Sequence, residues 1–317
     1  MRSFIRKILL FMLPVVLILL GCEWALRQIP NSYSIKYRYL QRNSDKLSNL
    51  VLGSSHTYFG IDPQYFSAPT FNAAEVSQSV DIDLKILKMF SYKELRFVIL
   101  PVSYSSLFSK IEGGAEAWRL DNYAMYFPVE KGAFISFKTE LFKDRLVNSL
   151  EKLRYYVKKD SAAMECSPLG WGIDHTDPAH VDTAMLRTTA IEAAKRHTSI
   201  ATEADLRTSL LAENTATLEG IIKYCAGKGI RIIMVSIPVT DMYYSHLNSI
   251  QLQTTMTTLQ AIDKRYDNCH YIDLSQSDRY GYSDFKDGDH LSRRGARKLS
   301  IYLDSTIQSM SAMGQTH

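Results

Sequence analysis

The chain has 317 residues, 46% of them hydrophobic and 22% charged, enough to bury a core in one large domain or two small ones, which excludes a disordered, collagen-like or disulfide-stapled chain. Basic residues outnumber acidic ones, 37 to 33, but the excess is confined to residues 1–47, where eight basic side chains face two acidic; the other 270 residues hold 29 basic and 31 acidic ones. A body this close to neutral lacks the electrostatic footprint of a nucleic-acid binder.

Arg2, Arg6 and Lys7 precede an apolar run from Ile8 to Cys22, which continues past Glu23 through Trp24, Ala25 and Leu26. As a helix, Ile8 to Leu26 measures about 28 Å, close to the hydrocarbon thickness of a bilayer, so residues 1–27 read as a membrane anchor. Positive charge ahead of the span holds the N-terminus in the cytoplasm and sends everything after residue 27 to the far side. The run is followed by no Ala-x-Ala-like site, which argues against a cleaved secretory peptide. Leu19-Leu20-Gly21-Cys22 looks like a bacterial lipobox, and a lipoprotein attached through Cys22 is the alternative; it too leaves the chain on a membrane. Residues 28–47 form a juxtamembrane segment in which Tyr33, Tyr37 and Tyr39 alternate with Lys36, Arg38 and Arg42, a pattern suited to the headgroup level. Cys22, Cys166, Cys225 and Cys269 show no Cys-x-x-Cys spacing, so no zinc or thioredoxin-type site is expected, and at most one disulfide could form beyond the membrane.

From residue 48 the rhythm is short apolar run, polar turn, helical segment. Leu50 to Gly53 reads as a strand, Pro63 to Phe66 as a short helix, Thr70 to Ala73 as a second strand. Apolar spacing predicts a helix over 80–93, and Phe97 to Leu100 a buried strand. Residues 107 to about 205 break the rhythm and read as a mainly helical insertion, with a helix over Phe137 to Lys158 and a turn-rich stretch at 167–182. A helix over Leu218 to Ala226 stops at Gly227-Lys228-Gly229; Ile230 to Pro238 and His270 to Leu274 are strands, and Ser249 to Lys264 and Ser292 to Met310 helices. Strands separated by helices predict an α/β three-layer sandwich around a five-stranded parallel sheet, one domain over 48–317 with the insertion at the carboxyl edge of the third strand, where ligands sit in such sheets.

Two clusters can carry chemistry. Gly53-Ser54-Ser55-His56 follows the first strand, and Asp287-Gly288-Asp289-His290 precedes the last helix. A serine hydroxyl is a poor nucleophile at neutral pH and needs a base, a group that orients the base, and donors for the oxyanion. Asp287 and His290, three residues apart, can form the carboxylate–imidazole pair, leaving the far ring nitrogen to a serine. Alone, each cluster reads as a turn or as a complement to a helix dipole; at the two ends of an alternating fold, in this order, they read as one site.

At these residues the chain resembles the SGNH/GDSL hydrolase superfamily, and within it the membrane-anchored bacterial branch associated with acyl groups on cell-surface glycans. The resemblance covers residues 48–106 and 215–305. Leu52-Gly53-Ser54-Ser55-His56 looks like the Gly-Asp-Ser block with Ser54 in place of Asp, which makes Ser55 the nucleophile. Asp287-Gly288-Asp289-His290 matches the Asp-x-x-His block, with His290 the base and Asp287 its partner. In Phe71 to Ser79, Ser77 is the nearest equivalent of the oxyanion glycine. In Pro101-Val102-Ser103-Tyr104, Ser103 replaces the oxyanion asparagine, leaving Ser77, Gln78 and Ser103 to supply the hole with backbone help; one good donor is worth about 3 kcal/mol.

The resemblance implies a flavodoxin-like sheet and a cofactor-free serine esterase or O-acyltransferase. Its partners would be a glycan or acyl-ester substrate, acetyl above all, the membrane, and a membrane protein supplying acyl groups; its place would be the outer face of a bacterial cytoplasmic membrane. The alternative from another class is a catalytically silent glycan-binding or polysaccharide-assembly component. A third reading places a metal in the loop Asp174 to Asp182, although no closed zinc spacing occurs there. His56 is expected to line the pocket and His197 to face solvent, while Trp118, Arg119 and Tyr123 are suited to stacking on and hydrogen-bonding a sugar.

Overall fold

The computed structural model of the chain describes residues 2–129, 138–142, 146–159, 165–173 and 181–313. The first elements are α1 (Arg2–Arg27), α2 (Ser32–Asn43), β1 (Asn49–Val51), α3 (Ser55–Gly60), β2 (Thr70–Asn72), α4 (Val80–Met89) and β3 (Phe97–Pro101). The helices α5 (Leu120–Tyr126), α6 (Leu146–Lys159) and α7 (Thr183–His197) follow β3. The chain then returns through α8 (Leu211–Ala226), β4 (Arg231–Ser236), α9 (Asp241–Tyr244), α10 (Ser249–Arg265), β5 (Cys269–Asp273) and α11 (Arg293–Met313).

The five strands form one parallel sheet in the order β2-β1-β3-β4-β5. Its apolar runs are buried on both faces because successive side chains point to opposite sides. Leu50, Val98 and Ile232 are in register and enter one core; Val51, Ile99 and Ile233, the next residues along, enter the other. The first core is closed by Ile82 and Ile86 of α4, Leu218 and Ile222 of α8, and Leu259 and Ile262 of α10. The second is closed by Leu299, Leu303 and Ile307, one stripe of α11 at i, i+4 spacing, with Ile61 and Leu186. Each such side chain contributes about 1.5–3 kcal/mol by leaving water. The order reverses between β1 and β3, so a crevice opens at their carboxyl ends.

The expected helix over 80–93 ends at Met89, because Phe90 leaves the helix to meet the rings of Tyr37 and Phe127 at centroid distances of 5.9 and 6.0 Å. The helix expected over Phe137 to Lys158 is described from Leu146 onward, and residues 138–142 form a turn. The backbone N–H groups of Glu140 and Leu141 are spent on the Glu23 carboxylate of α1, at 3.2 and 2.9 Å, which fixes them outside a helical ladder.

Residues 32–43, expected at the headgroup level, form α2 and pack into the first core. Tyr33 and Leu40 are buried, and Tyr39 stacks on Phe71 with ring centroids 4.1 Å apart. Lys36 is wholly buried, 3.0 Å from the Glu75 carboxylate and donating to the Ala74 carbonyl, which is what makes a desolvated ammonium tolerable. Tyr33, Tyr37 and Leu40 stand at i, i+4, i+7, a core-facing helix stripe that the interleaved basic residues disguise.

Among the described residues one helix, Ser3–Arg27, is long and apolar enough to cross a membrane, and its Phe4, Leu9, Phe11, Ile18 and Leu20 point outward. The four cysteines are unpaired; burial pushes the Cys166, Cys225 and Cys269 thiols up to about 12, leaving them inert.

Candidate active site

Gly53 turns the chain out of β1 at φ +109°, and a Cβ there would stand 2.7 Å from Thr57 Oγ1, so only glycine fits. Its N–H donates to Asp83 Oδ1 at 2.9 Å and its carbonyl accepts from the Glu75 N–H at 3.2 Å. The turn is thereby tied to α4 and to the loop after β2. The Ser54 backbone carbonyl accepts the N–H groups of Thr57 and Tyr58, opening α3, and Ser55 is the first helical residue.

At the other end, a bridge between Phe285 and Leu291 closes the loop that holds the acidic cluster. Asp287 Oδ1 accepts the backbone N–H groups of Asp289 and His290 at 3.1 and 2.8 Å. Gly288 is pressed against α7, where a Cβ would run into the Ala190 backbone; its N–H donates to Thr189 Oγ1 at 2.9 Å and its carbonyl accepts from Thr240 Oγ1 at 2.5 Å. Helix α7 therefore buttresses this loop directly.

These two constructions bring together side chains 235 residues apart. Ser55 Oγ lies 2.8 Å from His290 Nε2, and His290 Nδ1 lies 3.0 Å from both oxygens of Asp287. A carboxylate accepts only, so the proton sits on Nδ1 and Nε2 is left to accept from the serine hydroxyl. Burial works against the His290 imidazolium, but the charge of Asp289 and then the hydrogen bond and charge of Asp287 outweigh it and raise the His290 pKa. Asp287 is half-buried, and against the desolvation this brings its hydrogen bond to His290 holds its carboxyl below the usual range.

Three residues given no catalytic part by the sequence surround this trio. Asp289 is buried, with its oxygens 3.1 Å from His56 Nε2 and 3.4 Å from His290 Nδ1. The His56 ring stacks on His290 at a centroid distance of 4.9 Å. His197, expected at the solvent, turns inward: its Nδ1 is 2.8 Å from the Tyr243 hydroxyl and 3.8 Å from Asp289. Burial, then the neighbouring His56, pushes its pKa down to about 3, so this ring is neutral. The signal was present in the spacing, since Leu186, Ala190, Ala193 and His197 share the inward face of α7.

A cleft of about 460 Å³ opens over Ser55 and His290, and Ser77, Gln78 and Ser103 line it. Ser77 is the one non-glycine residue with positive φ, +61°, among the described residues, and it sits where glycine would be easiest. Gln78 is held on both sides, its Nε2 donating to Asp83 at 2.6 Å and its Oε1 accepting from Tyr123 at 2.7 Å. Burial pushes the Asp83 carboxyl up to about 7, against the pull of those donors. The Ser103 hydroxyl is 2.9 Å from that of Ser106. Arg119 lines the cleft; Trp118, half-exposed, holds the Arg119 guanidinium 4.5 Å over its ring, and Tyr123 is in the core.

Among the described residues, two groups of side chains have ligand atoms close enough to share a cation, His56–His197–Asp289 and Asp287–Asp289–His290. The second is the hydrogen-bonded Asp287–His290 pair with Asp289 beside it, and in the first the His197 Nδ1 is engaged by Tyr243. Of the loop Asp174 to Asp182 considered for a metal, residues 174–180 lie outside the described residues.

No protein-family model matches the chain, and no curated protein does. Among solved structures it is similar to a candidate platelet activating factor from Streptococcus pneumonia, with a TM-score of 0.43 and 12% identity over 92% of this chain and 98% of that one. It is also similar to a candidate acylhydrolase from Bacteroides fragilis, with a TM-score of 0.42 and 11% identity over 86% of this chain and 95% of that one.

Proposed function

We propose that the chain is a membrane-tethered, extracytoplasmic serine esterase or O-acyltransferase of the SGNH type, acting on acyl groups, acetyl in particular, of cell-surface glycans. The observation that carries this reading is the unbroken line Ser55 Oγ, His290 imidazole, Asp287 carboxylate, at 2.8 and 3.0 Å, at the floor of an open cleft. Ser55 attacks the ester carbonyl while His290 Nε2 takes its proton; the tetrahedral oxyanion is held by the backbone N–H groups at Ser55 and Ser77, with Ser103 beside them. Collapse breaks the ester bond, His290 returns the proton to the departing sugar oxygen, and the acyl group stays on Ser55. Water or a second sugar hydroxyl then gives its proton to His290 and takes the acyl group, and His290 passes that proton to the departing Ser55 oxygen.

The cleft suits a polyhydroxylated substrate, since its wall carries Ser103, Ser105, Ser106 and Ser109 together with Lys110 and Arg119. In this reading α1 is the tether, residues 48–317 are the catalytic domain, and residues 107–205 are an insertion that shapes the cleft. The test is turnover of an activated acetyl ester by the purified chain, with fluorophosphonate labelling of Ser55. Ser55→Ala should abolish both. A mutant as active as the wild type overturns the nucleophile, and an unlabelled Ser55 beside measurable polysaccharide binding makes the chain a silent glycan-binding component.

A further inference from the structure

Outside the cleft, the most unusual surface lies on α6. With 100° per residue, Val147, Leu150, Arg154 and Val157 fall within about 80° of arc. Val147 is 65% exposed, Leu150 43% and Val157 75%, and Phe142, just ahead of the helix, is 64% exposed. Isolated apolar residues on a surface are ordinary, but a helix stripe of them is not. Arg154, inside that arc, and Lys158, about 20° beyond its edge, are exposed as well. An amphipathic helix with apolar and basic residues in this arrangement suits the boundary between acyl chains and headgroups.

The position of α6 says which surface covers the stripe. Its adjoining face, Leu153 and Tyr156, packs with Leu19, Cys22, Leu26 and Ile29 of α1 and the residues following it. Leu19 to Leu26 is the last stretch of the apolar run, about 10 Å long as a helix. The attachment is specific: Glu23, the one acidic residue of that stretch, accepts the N–H groups of Glu140 and Leu141, and Arg27 donates to the Lys138 carbonyl at 3.0 Å. Trp24, 67% exposed, marks the same level with an interfacial side chain. A bilayer crossed by α1 therefore meets α6 at its outer leaflet.

We infer that α6 and Phe142 lie on the membrane, with Phe142, Val147, Leu150 and Val157 entering the acyl boundary of the leaflet in which α1 ends and Arg154 and Lys158 meeting anionic headgroups. This rests on α1 being a membrane span. It gives the protein two points of attachment, so that the cleft is held in one orientation above the lipid rather than swinging on a single tether.

The test uses the full chain in nanodiscs of phosphatidylethanolamine and phosphatidylglycerol, with a nitroxide on Val147→Cys or Val157→Cys in a Cys22→Ser background. Collision with dissolved oxygen and with a water-soluble nickel chelate is compared with labels at Leu13→Cys, inside the span, and Ser305→Cys, on the exposed side of α11. Oxygen-rich, nickel-poor labels at both α6 positions, grouped with Leu13, are the expected result. Nickel exposure equal to that of Ser305 overturns the proposal, as does spin–spin broadening between labels, which would put a second copy on the stripe. A nickel-exposed label at Leu13 would instead remove the span itself and identify that reading as the one at fault.

Discussion

The carboxylate of Asp289 stands 3.1 Å from His56 and 3.4 Å from His290, so one buried anion serves two stacked imidazoles. In the proposed reaction His290 must be neutral to act as the base, and its pKa is raised above the ordinary histidine value of about 6.5. Activity should therefore climb as pH rises through that elevated value and be lost below it. Asp289→Asn removes the largest charge that favours the imidazolium and leaves burial, which disfavours it. The acid limb of kcat/KM should move toward lower pH by about one pH unit or more. A limb that stays in place would show that Asp289 acts on His290 only through packing.

Asp287 fixes the tautomer rather than the charge alone, because both its oxygens face Nδ1. Asp287→Asn can present its amide N–H to that nitrogen and turn the proton onto Nε2, where it blocks acceptance from Ser55. A fall in kcat of roughly 10³–10⁴ is expected, with the melting temperature nearly unchanged. Turnover of an activated ester and a thermal melt on the same sample check both halves.

Gly288 is needed for close approach, not for a turn. Gly288→Ala should push the loop off α7 at a cost of about 1–3 kcal/mol, with a larger loss in rate because Asp287 and His290 flank the shifted residue. The obstacle includes backbone atoms of Ala190 as well as its Cβ, so adding Ala190→Gly should restore little. Denaturation midpoints and kcat/KM for the single and double variants test this, and full rescue would contradict it.

Lys36 and Glu75 form an ion pair in the core. Lys36→Met strands a buried carboxylate and should cost roughly 3–5 kcal/mol, whereas Lys36→Met with Glu75→Gln should cost clearly less. Urea unfolding of the four members of the cycle gives the coupling directly.

How much of this was legible beforehand follows from the range of each interaction. The strands are buried on both faces, so their apolar runs alone mark them, and strand–helix alternation leads to the parallel sheet. Ser55, Asp287 and His290 could be singled out because each lies in a short motif whose chemistry is complete within a few residues, and the parallel sheet brings the three side chains within hydrogen-bond distance of one another. The apolar run of α1 was equally plain, since length and composition decide whether a helix can cross a bilayer.

What only the tertiary structure decided is which way the ambiguous helices turn. Lys36 on α2 reads, with Arg38 and Arg42, as part of a membrane belt until Glu75, 39 residues away, supplies its buried counter-charge. His197 ends α7 beside two cations, a pattern that reads as solvent-facing, yet Tyr243 and Asp289 draw it inward. Asp289 resembled a dipole complement because its imidazole neighbours come from α3, α7 and its own loop. Burial of a charge depends on partners brought by folding, and local sequence carries no record of them; apolar periodicity needs no partner to be read.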